Sequence, residues 1–110
     1  MATTTYKVLG QIAPSATTET DVYTVPASTE TIVSSIVVTN RGTTSATYRL
    51  SVSVNGAATT NKDYLVYDAT INANSVVALT LGITIDATDK IRAYASTANL
   101  SISAFGSEIA

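Results

Sequence analysis

Paired acidic side chains are the residues of this sequence whose spacing comes closest to a chemical site. Asp86 and Asp89 lie three residues apart in the segment Asp86-Ala-Thr-Asp89. Two carboxylates in one loop, with backbone carbonyls nearby, suit a hard cation such as Ca²⁺. The number of ligands falls short of a full calcium loop, however, and Asp side chains in short turns commonly accept hydrogen bonds from their own backbone. The pattern favours a turn, and we predict neither a metal nor a cofactor.

Catalytic side chains of other types are scarce. The chain has no His and no Cys, which removes the commonest general base, the most reactive nucleophile and the usual ligands of transition metals. Ser and Thr are plentiful, but a Ser–Lys pair would need a buried Lys, and Lys7, Lys62 and Lys90 all lie among polar residues. A nucleophile elbow and a phosphate-binding loop are both missing. The sequence therefore predicts a protein that is not an enzyme and has no catalytic residues.

Binding side chains are better represented. Six Tyr residues could stack on sugar rings, although Tyr23, Tyr48 and Tyr67 equally suit the rim of a core, with the hydroxyl reaching solvent. Loops on a rigid scaffold commonly carry contacts. The candidate interaction loops contain Asn40, Arg41, Gly42, Asn55, Gly56 and Lys62.

The charge balance limits the kinds of partner. Charged residues make up 13% of the chain and the formal net charge is −2. Nucleic-acid binding requires a basic patch, whereas the six Lys and Arg residues are scattered. A surface of Thr, Ser, Ala and Asn has little repulsion between copies and favours packing against neighbours. Asp63 and Asp68, with Lys62 and Arg49, are interpreted as a charged strand edge. No run approaches the roughly 18 apolar residues of a membrane helix, and residues 1–7 lack the features of a signal peptide.

The elements that position these residues are predicted to be β-strands. The segments Thr31–Thr39 and Ala46–Val54 are rich in β-branched or alternating residues. With the polar loop between them, they are interpreted as a hairpin around which the chain is organised. The segment Val76–Ile85 is the longest strict alternation, and Gly82 within it suggests a bulge or a close backbone approach.

The whole pattern predicts an all-β fold. About eight short strands separated by polar turns indicate an antiparallel β-sandwich, with a small jelly roll or barrel as the alternative. Residues 1–110 are expected to form one domain, long enough to fold without disulfides. The predicted core contains Leu50, Val52, Leu79, Leu81, Ile83 and Ile102.

Several segments carry a resemblance to a known family. They include Ile36-Val-Val-Thr-Asn-Arg-Gly42, Lys62-Asp-Tyr-Leu-Val-Tyr-Asp68 and Leu79-Thr-Leu-Gly-Ile-Thr-Ile-Asp86. In these turn and strand patterns the chain resembles small virion structural proteins of tailed bacteriophages, many from marine and cyanobacterial hosts. The similarity runs from about Gln11 to Glu108. It implies a structural role and offers no catalytic residues to carry over.

Among virion roles, we expect a capsid decoration or cement protein. The expected partners are the major capsid protein or tail proteins, and further copies of the chain in a homo-oligomer such as a trimer. A tail, neck or fibre-associated component is the first alternative, and a receptor- or glycan-binding module is the second. Neither nucleic acid nor a membrane is an expected partner. Such a protein would be made in the host cytoplasm and located in the virion.

Overall fold

The computed structural model describes residues 2–110, which form two antiparallel β-sheets packed face to face. Met1, the first residue of the predicted domain, lies outside them. The strands are β1 (Thr4–Ile12), β2 (Thr20–Thr24), β3 (Glu30–Asn40), β4 (Ala46–Ser53), β5 (Tyr64–Ile71), β6 (Val76–Leu79), β7 (Ile83–Ile85), β8 (Lys90–Ala95) and β9 (Leu100–Ile109). Two short 3-10 turns, Val54–Gly56 and Asn61–Asp63, lie between β4 and β5. The predicted all-β sandwich is confirmed. No helix within residues 2–110 has the length and hydropathy needed to cross a membrane.

The strands divide between two sheets. Sheet A has the order β1-β9-β3-β6, and β7 also pairs with β3. Sheet B has the order β2-β8-β4-β5. In sheet A, β9 pairs with β1 from Thr4↔Ile109 to Ile12↔Ile102, and with β3 on its other side. Sheet A therefore depends on contacts between the two extremes of the chain.

The strands β3 and β4 do not form the hairpin that the sequence predicted. They belong to different sheets, so the loop between them crosses from one layer to the other. Buried Asn40 holds this crossing: its amide donates to the carbonyls of Thr44 and Ile71 at 2.9 and 3.3 Å, and its Oδ1 accepts from the Gly42 N–H at 2.9 Å. The prediction was wrong because two strands with apolar faces can meet either edge to edge or across a core.

The alternating segment from residue 76 to residue 85 forms two strands, β6 and β7, rather than one. The chain leaves the sheet between them, where Gly82 has a φ of +62°, a left-handed conformation that glycine adopts without strain. A Cβ built on Gly82 would meet no heavy atom within 4 Å, so the backbone does not approach another segment there. Leu81 is 45% exposed, and its predicted burial is wrong because the interruption carries it off the core face.

The core lies between the sheets. Leu50 and Ile102 are fully buried, as predicted, while Val52, Leu79 and Ile83 are partly buried at its margin. The largest buried side chains are Ile36, Leu50, Ile71, Ile91, Leu100 and Ile102. Beyond Leu50 the alternation of β4 is reversed, since Ser51 and Ser53 are buried and Val54 is exposed. Irregular pairing with β5 on both sides of Leu50 accounts for this shift.

Candidate interaction surfaces

The predicted loop residues do not form one surface. Asn40, Arg41 and Gly42 lie at one end of the sandwich, where Arg41 donates from its backbone N–H to the Asn99 carbonyl at 2.9 Å and from Nη2 to the Ala98 carbonyl at 3.0 Å. Asn40 and Gly42 are buried, and Arg41 is exposed. Of these three residues, Arg41 is therefore the one whose side chain is open to a partner.

Asn55 and Gly56 lie at the opposite end, in a loop that Arg92 of β8 holds in place. Arg92 Nη1 donates to the Ala57 carbonyl at 2.7 Å, and Nη2 donates to the Gly56 carbonyl at 3.1 Å. Its Nη1 also contacts the hydroxyls of Ser53 and Thr59 at 3.0 and 3.1 Å. Because the guanidinium presents several donors in a rigid fork, this one side chain contacts three residues of the loop, Gly56, Ala57 and Thr59. This link joins residues more than 30 positions apart and could not be predicted from the sequence.

Lys62 lies in the second 3-10 turn, in the same connection between β4 and β5 as Asn55 and Gly56. Its Nζ is 3.2 Å from Asp63 Oδ1 in an exposed ion pair. The Asp63 carboxylate also accepts a hydrogen bond from the Thr60 N–H at 2.9 Å. This bond favours the charged carboxylate and is the main reason why the pKa of Asp63 is lowered. Lys62 is thus the cation of a small capped turn in front of β5.

The Asp86–Asp89 segment forms a hydrogen-bonded turn. Asp89 accepts from the N–H groups of Asn55 and Asp86, each at 2.9 Å, and Asp86 Oδ1 accepts from the Ala87 N–H at 2.8 Å. The carboxylates therefore cap backbone groups, as the turn interpretation predicted. Among residues 2–110, no three His, Cys, Asp or Glu side chains are placed to hold a metal ion.

Three Tyr residues that are scattered in the sequence meet on the outer face of sheet B. Arg49 of β4 is the register partner of Tyr94 on β8. The Arg49 guanidinium carbon lies 4.3 Å from the ring centre of Tyr94 and 4.4 Å from that of Tyr67, distances typical of cation–π contacts. Tyr64 packs edge to face on Tyr67, with ring centres 4.8 Å apart. We call Tyr64, Tyr67, Tyr94 and Arg49 the tyrosine cluster.

Asp68 holds the cation of the tyrosine cluster. Arg49 Nε and Nη2 donate to its two carboxylate oxygens at 2.6 and 3.2 Å, a bidentate pair. The hydrogen bond from Arg49 lowers the pKa of Asp68, so the carboxylate stays charged. Asp68 has a φ of +51° within β5, and the pairing of β5 with β4 is irregular at this point. From the sequence, Arg49 and Asp68 were interpreted as part of a charged strand edge. Their pairing depends on the register between β4 and β5, which the sequence does not reveal.

A shallow cleft opens beside the tyrosine cluster. It has a volume of about 260 Å³ and is lined by Asn61, Tyr64 and Tyr67. The Tyr67 side chain is 58% exposed, so part of its ring faces solvent. The cleft thus combines aromatic surface with an amide that can both donate and accept hydrogen bonds.

An apolar area lies on the outer face of sheet A, opposite the tyrosine cluster. It contains Tyr6 and Val8 of β1, Ile32 of β3 and Phe105 of β9, and we call these four residues the sheet A patch. Tyr6 is 84% exposed, and Val8 pairs directly with Phe105. A groove of about 480 Å³ runs between Tyr6, Ile32 and Phe105. An exposed apolar area of this kind is typical of a surface that contacts another protein.

The fold is similar to that of chains in several viral particles. No protein-family model and no curated protein sequence matches the chain. Among solved structures, a chain of an infectious bursal disease virus particle matches 98% of this chain at 10% identity, with a TM-score of 0.60. The VP2 subviral particle of the same virus matches 98% at 12% identity and a TM-score of 0.56. A chain from the capsid of Helicobacter pylori bacteriophage KHP30 matches 100% at 14% identity and a TM-score of 0.53.

The coverage of the matched chains differs. This chain spans 30% and 32% of the two bursal disease virus chains, which are therefore much longer. It spans 94% of the KHP30 chain. The fold accordingly occurs both as part of a larger viral chain and as nearly the whole of a small one.

Proposed function

We propose that the protein is a non-enzymatic structural component of a tailed-phage virion, and specifically a capsid decoration or cement protein. The observation that carries the proposal is the match to the KHP30 capsid chain over 94% of that chain. The KHP30 chain is similar to residues 2–110 over nearly its whole length, and this supports a small sandwich that is added to a shell as a unit.

The interior supports a structural role. Within residues 2–110, every buried side-chain nitrogen and oxygen has a hydrogen-bond partner. Active sites commonly keep perturbed or unpaired polar groups in a cleft, whereas the buried polar groups here cap loops and join the sheets. Full satisfaction of buried polar groups favours a single rigid packing unit.

The sheet A patch is the surface that we assign to docking on another virion protein. Its centre is aromatic and apolar, the composition of energetic hot spots in protein interfaces. The polar residues Lys7, Ser34 and Ser107 also line the groove, and polar residues around an apolar centre typically form the rim of an interface. Copies of the chain would associate as a homo-oligomer, with a trimer as the arrangement to test by light scattering of the full chain.

Immunogold electron microscopy of purified virions of the parent phage tests the placement. Gold distributed over the heads is the expected result. Gold confined to the tail or neck would overturn the decoration role in favour of a tail, neck or fibre-associated component. An absence of label, with the protein found only in infected cells, would overturn the virion role itself.

The docking surface is tested by incorporation of variants into virions. Replacing Tyr6 with Ser removes the most exposed aromatic ring of the sheet A patch, and we expect loss of most incorporation. The matched control is Leu65→Ser, which changes a side chain with 45% exposure on β5 of sheet B. Equal incorporation of the two variants would show that docking uses another surface.

A further inference from the structure

We propose that the cleft beside the tyrosine cluster binds one pyranose ring of a cell-surface glycan. The apolar faces of a pyranose stack on exposed aromatic rings, which present a negative π face to the weakly positive C–H groups of the sugar. Tyr67 provides such a ring because more than half of its side chain is open to solvent. Tyr64, set edge to face at 4.8 Å, closes one side of the cleft.

The platform is already ordered in the free protein. Arg49 lies against both Tyr67 and Tyr94, and Asp68 holds Arg49 through two hydrogen bonds. Tyr67 therefore has little rotational freedom to lose when a ligand stacks on it, and this lowers the entropic cost of binding. The left-handed backbone at Asp68, with a φ of +51°, is a strained conformation that accompanies this arrangement.

The size and polarity of the cleft suit one sugar unit. Its volume of about 260 Å³ lies just below the range of roughly 300–1,000 Å³ found for drug-sized ligands. Asn61, at the margin of the cleft, offers a carbonyl and an NH₂ group to the hydroxyls of a ring. A few polar groups around an apolar floor are the general features of a small-molecule site.

Other occupants fit the cleft less well. A nucleic acid would need unpaired cations, but Asp68 neutralises Arg49 and Asp63 neutralises Lys62. A stable protein interface buries about 800 Å² on each partner, and three lining residues form a much smaller contact. The neutral, aromatic character of the cleft therefore points to an uncharged, hydroxyl-rich ring.

The test uses the full chain in solution, so its result is independent of the location of the protein in a virion. Saturation-transfer NMR would be recorded with a panel of methyl pyranosides, and an array of bacterial surface oligosaccharides would be probed in parallel. We expect at least one sugar to bind. Tyr67→Ala should weaken that binding about tenfold or more, as expected for loss of a stacking contact.

The matched control is Tyr6→Ala, which removes an exposed Tyr from sheet A and should leave sugar binding unchanged. Asn61→Ala, at the other side of the cleft, should weaken binding without touching the tyrosine cluster, so the proposal stays testable if Tyr67→Ala fails to fold. No binding by any sugar would overturn the proposal, as would equal binding by wild type, Tyr67→Ala and Asn61→Ala. A loss of virion incorporation in Tyr67→Ala with sugar binding intact would assign the cleft to a protein partner instead.

Discussion

The hydroxyl of Tyr23 donates to Glu108 Oε2 at 2.5 Å, and this bond joins sheet B to sheet A. Tyr23 lies on β2, whereas Glu108 lies on β9. The same phenol oxygen lies 2.8 Å from the hydroxyl of Thr31 on β3. Since the single phenolic proton goes to the carboxylate, Thr31 is the donor in that second bond. One side chain thus links three strands across the open end of the sandwich.

Replacing Tyr23 with Phe should lower the free energy of unfolding by about 1–3 kcal/mol, because Glu108 and Thr31 would lose a buried partner. Urea denaturation followed by circular dichroism measures this change. The control is Tyr94→Phe, which removes a hydroxyl from the outer face of sheet B and should be nearly neutral. A similar cost for both variants would mean that the link between the sheets adds no particular stability.

Tyr23 should also make the protein sensitive to alkali. Burial, together with the hydrogen bond to Glu108, raises its pKa from 10.0 to about 12. The folded state therefore favours the neutral phenol, and this contribution to stability is complete below pH 10 and is lost as the pH rises from 10 to 12. We expect a loss of stability across that window, smaller in Tyr23→Phe than in wild type. If stability fell equally with pH in wild type and Tyr23→Phe, Tyr23 would not be the source of the alkali sensitivity. Burial also raises the pKa of Tyr48, but Tyr48 is present in both proteins and contributes equally to both.

Gly106 should tolerate no side chain. A Cβ there would lie 2.0 Å from the Ile32 carbonyl oxygen of the neighbouring strand, and such overlap forces the backbone of β3 and β9 apart. We expect Gly106→Ala to cost more than about 3 kcal/mol, measured by thermal denaturation. In Gly82→Ala the new methyl group contacts no neighbour. The substitution should lower the free energy of unfolding by about 1–2 kcal/mol, because Ala is strained at a positive φ. Equal costs would show that sheet A can relax around a methyl group.

Replacing Arg92 with Lys should release the loop at residues 54–60 without unfolding the sandwich. A Lys ammonium cannot reproduce the fork that contacts the carbonyls of Ala57 and Gly56 together. We expect faster hydrogen exchange of the loop amides and an unfolding midpoint close to that of wild type. Arg41→Lys is the control, since Arg41 makes one side-chain contact, to the Ala98 carbonyl. Unchanged exchange in Arg92→Lys would show that the loop is held by its own turns.

Leu50 and Leu81, which the sequence predicted to be buried together in the core, have opposite environments. Leu50 is fully buried, whereas Leu81 is exposed beside Gly82. Leu50→Ala should cost about 2–5 kcal/mol, and Leu81→Ala should stay within about 0.5 kcal/mol of wild type. Denaturant unfolding of the two variants gives both values. A large cost at Leu81 would indicate that the chain continues as one strand there.

The fold class followed from the sequence because period-two patterns report which face of a strand is buried. Those patterns do not report the partner strand, and for this reason β3 and β4 were paired wrongly. The register shift after Leu50 could not be predicted from the sequence either, because a bulge depends on the neighbouring strand.

The candidate sites depend even more on which strands are neighbours, and the sequence does not show this. In the Asp86 turn, the bonds from the Asp86 and Ala87 N–H groups join residues close in the chain and could be predicted, whereas the bond from Asn55 to Asp89 could not. The tyrosine cluster depends on register between β4, β5 and β8, which brings Arg49 to Tyr94 and Asp68. The Tyr residues therefore looked scattered, and Arg49 looked like an ordinary edge charge.

The central position of β9 has a consequence for synthesis. Sheet A lacks the strand between β1 and β3 until residues 100–109 have emerged from the ribosome. Until then, the edges of β1 and β3 that β9 will cover are unpaired, and unpaired edges can pair with other chains. The sheet A patch takes Tyr6 from β1, Ile32 from β3 and Phe105 from β9, so it is assembled only after β9 has been synthesised. Products that stop before residue 100 would therefore lack both the closed sheet and the sheet A patch.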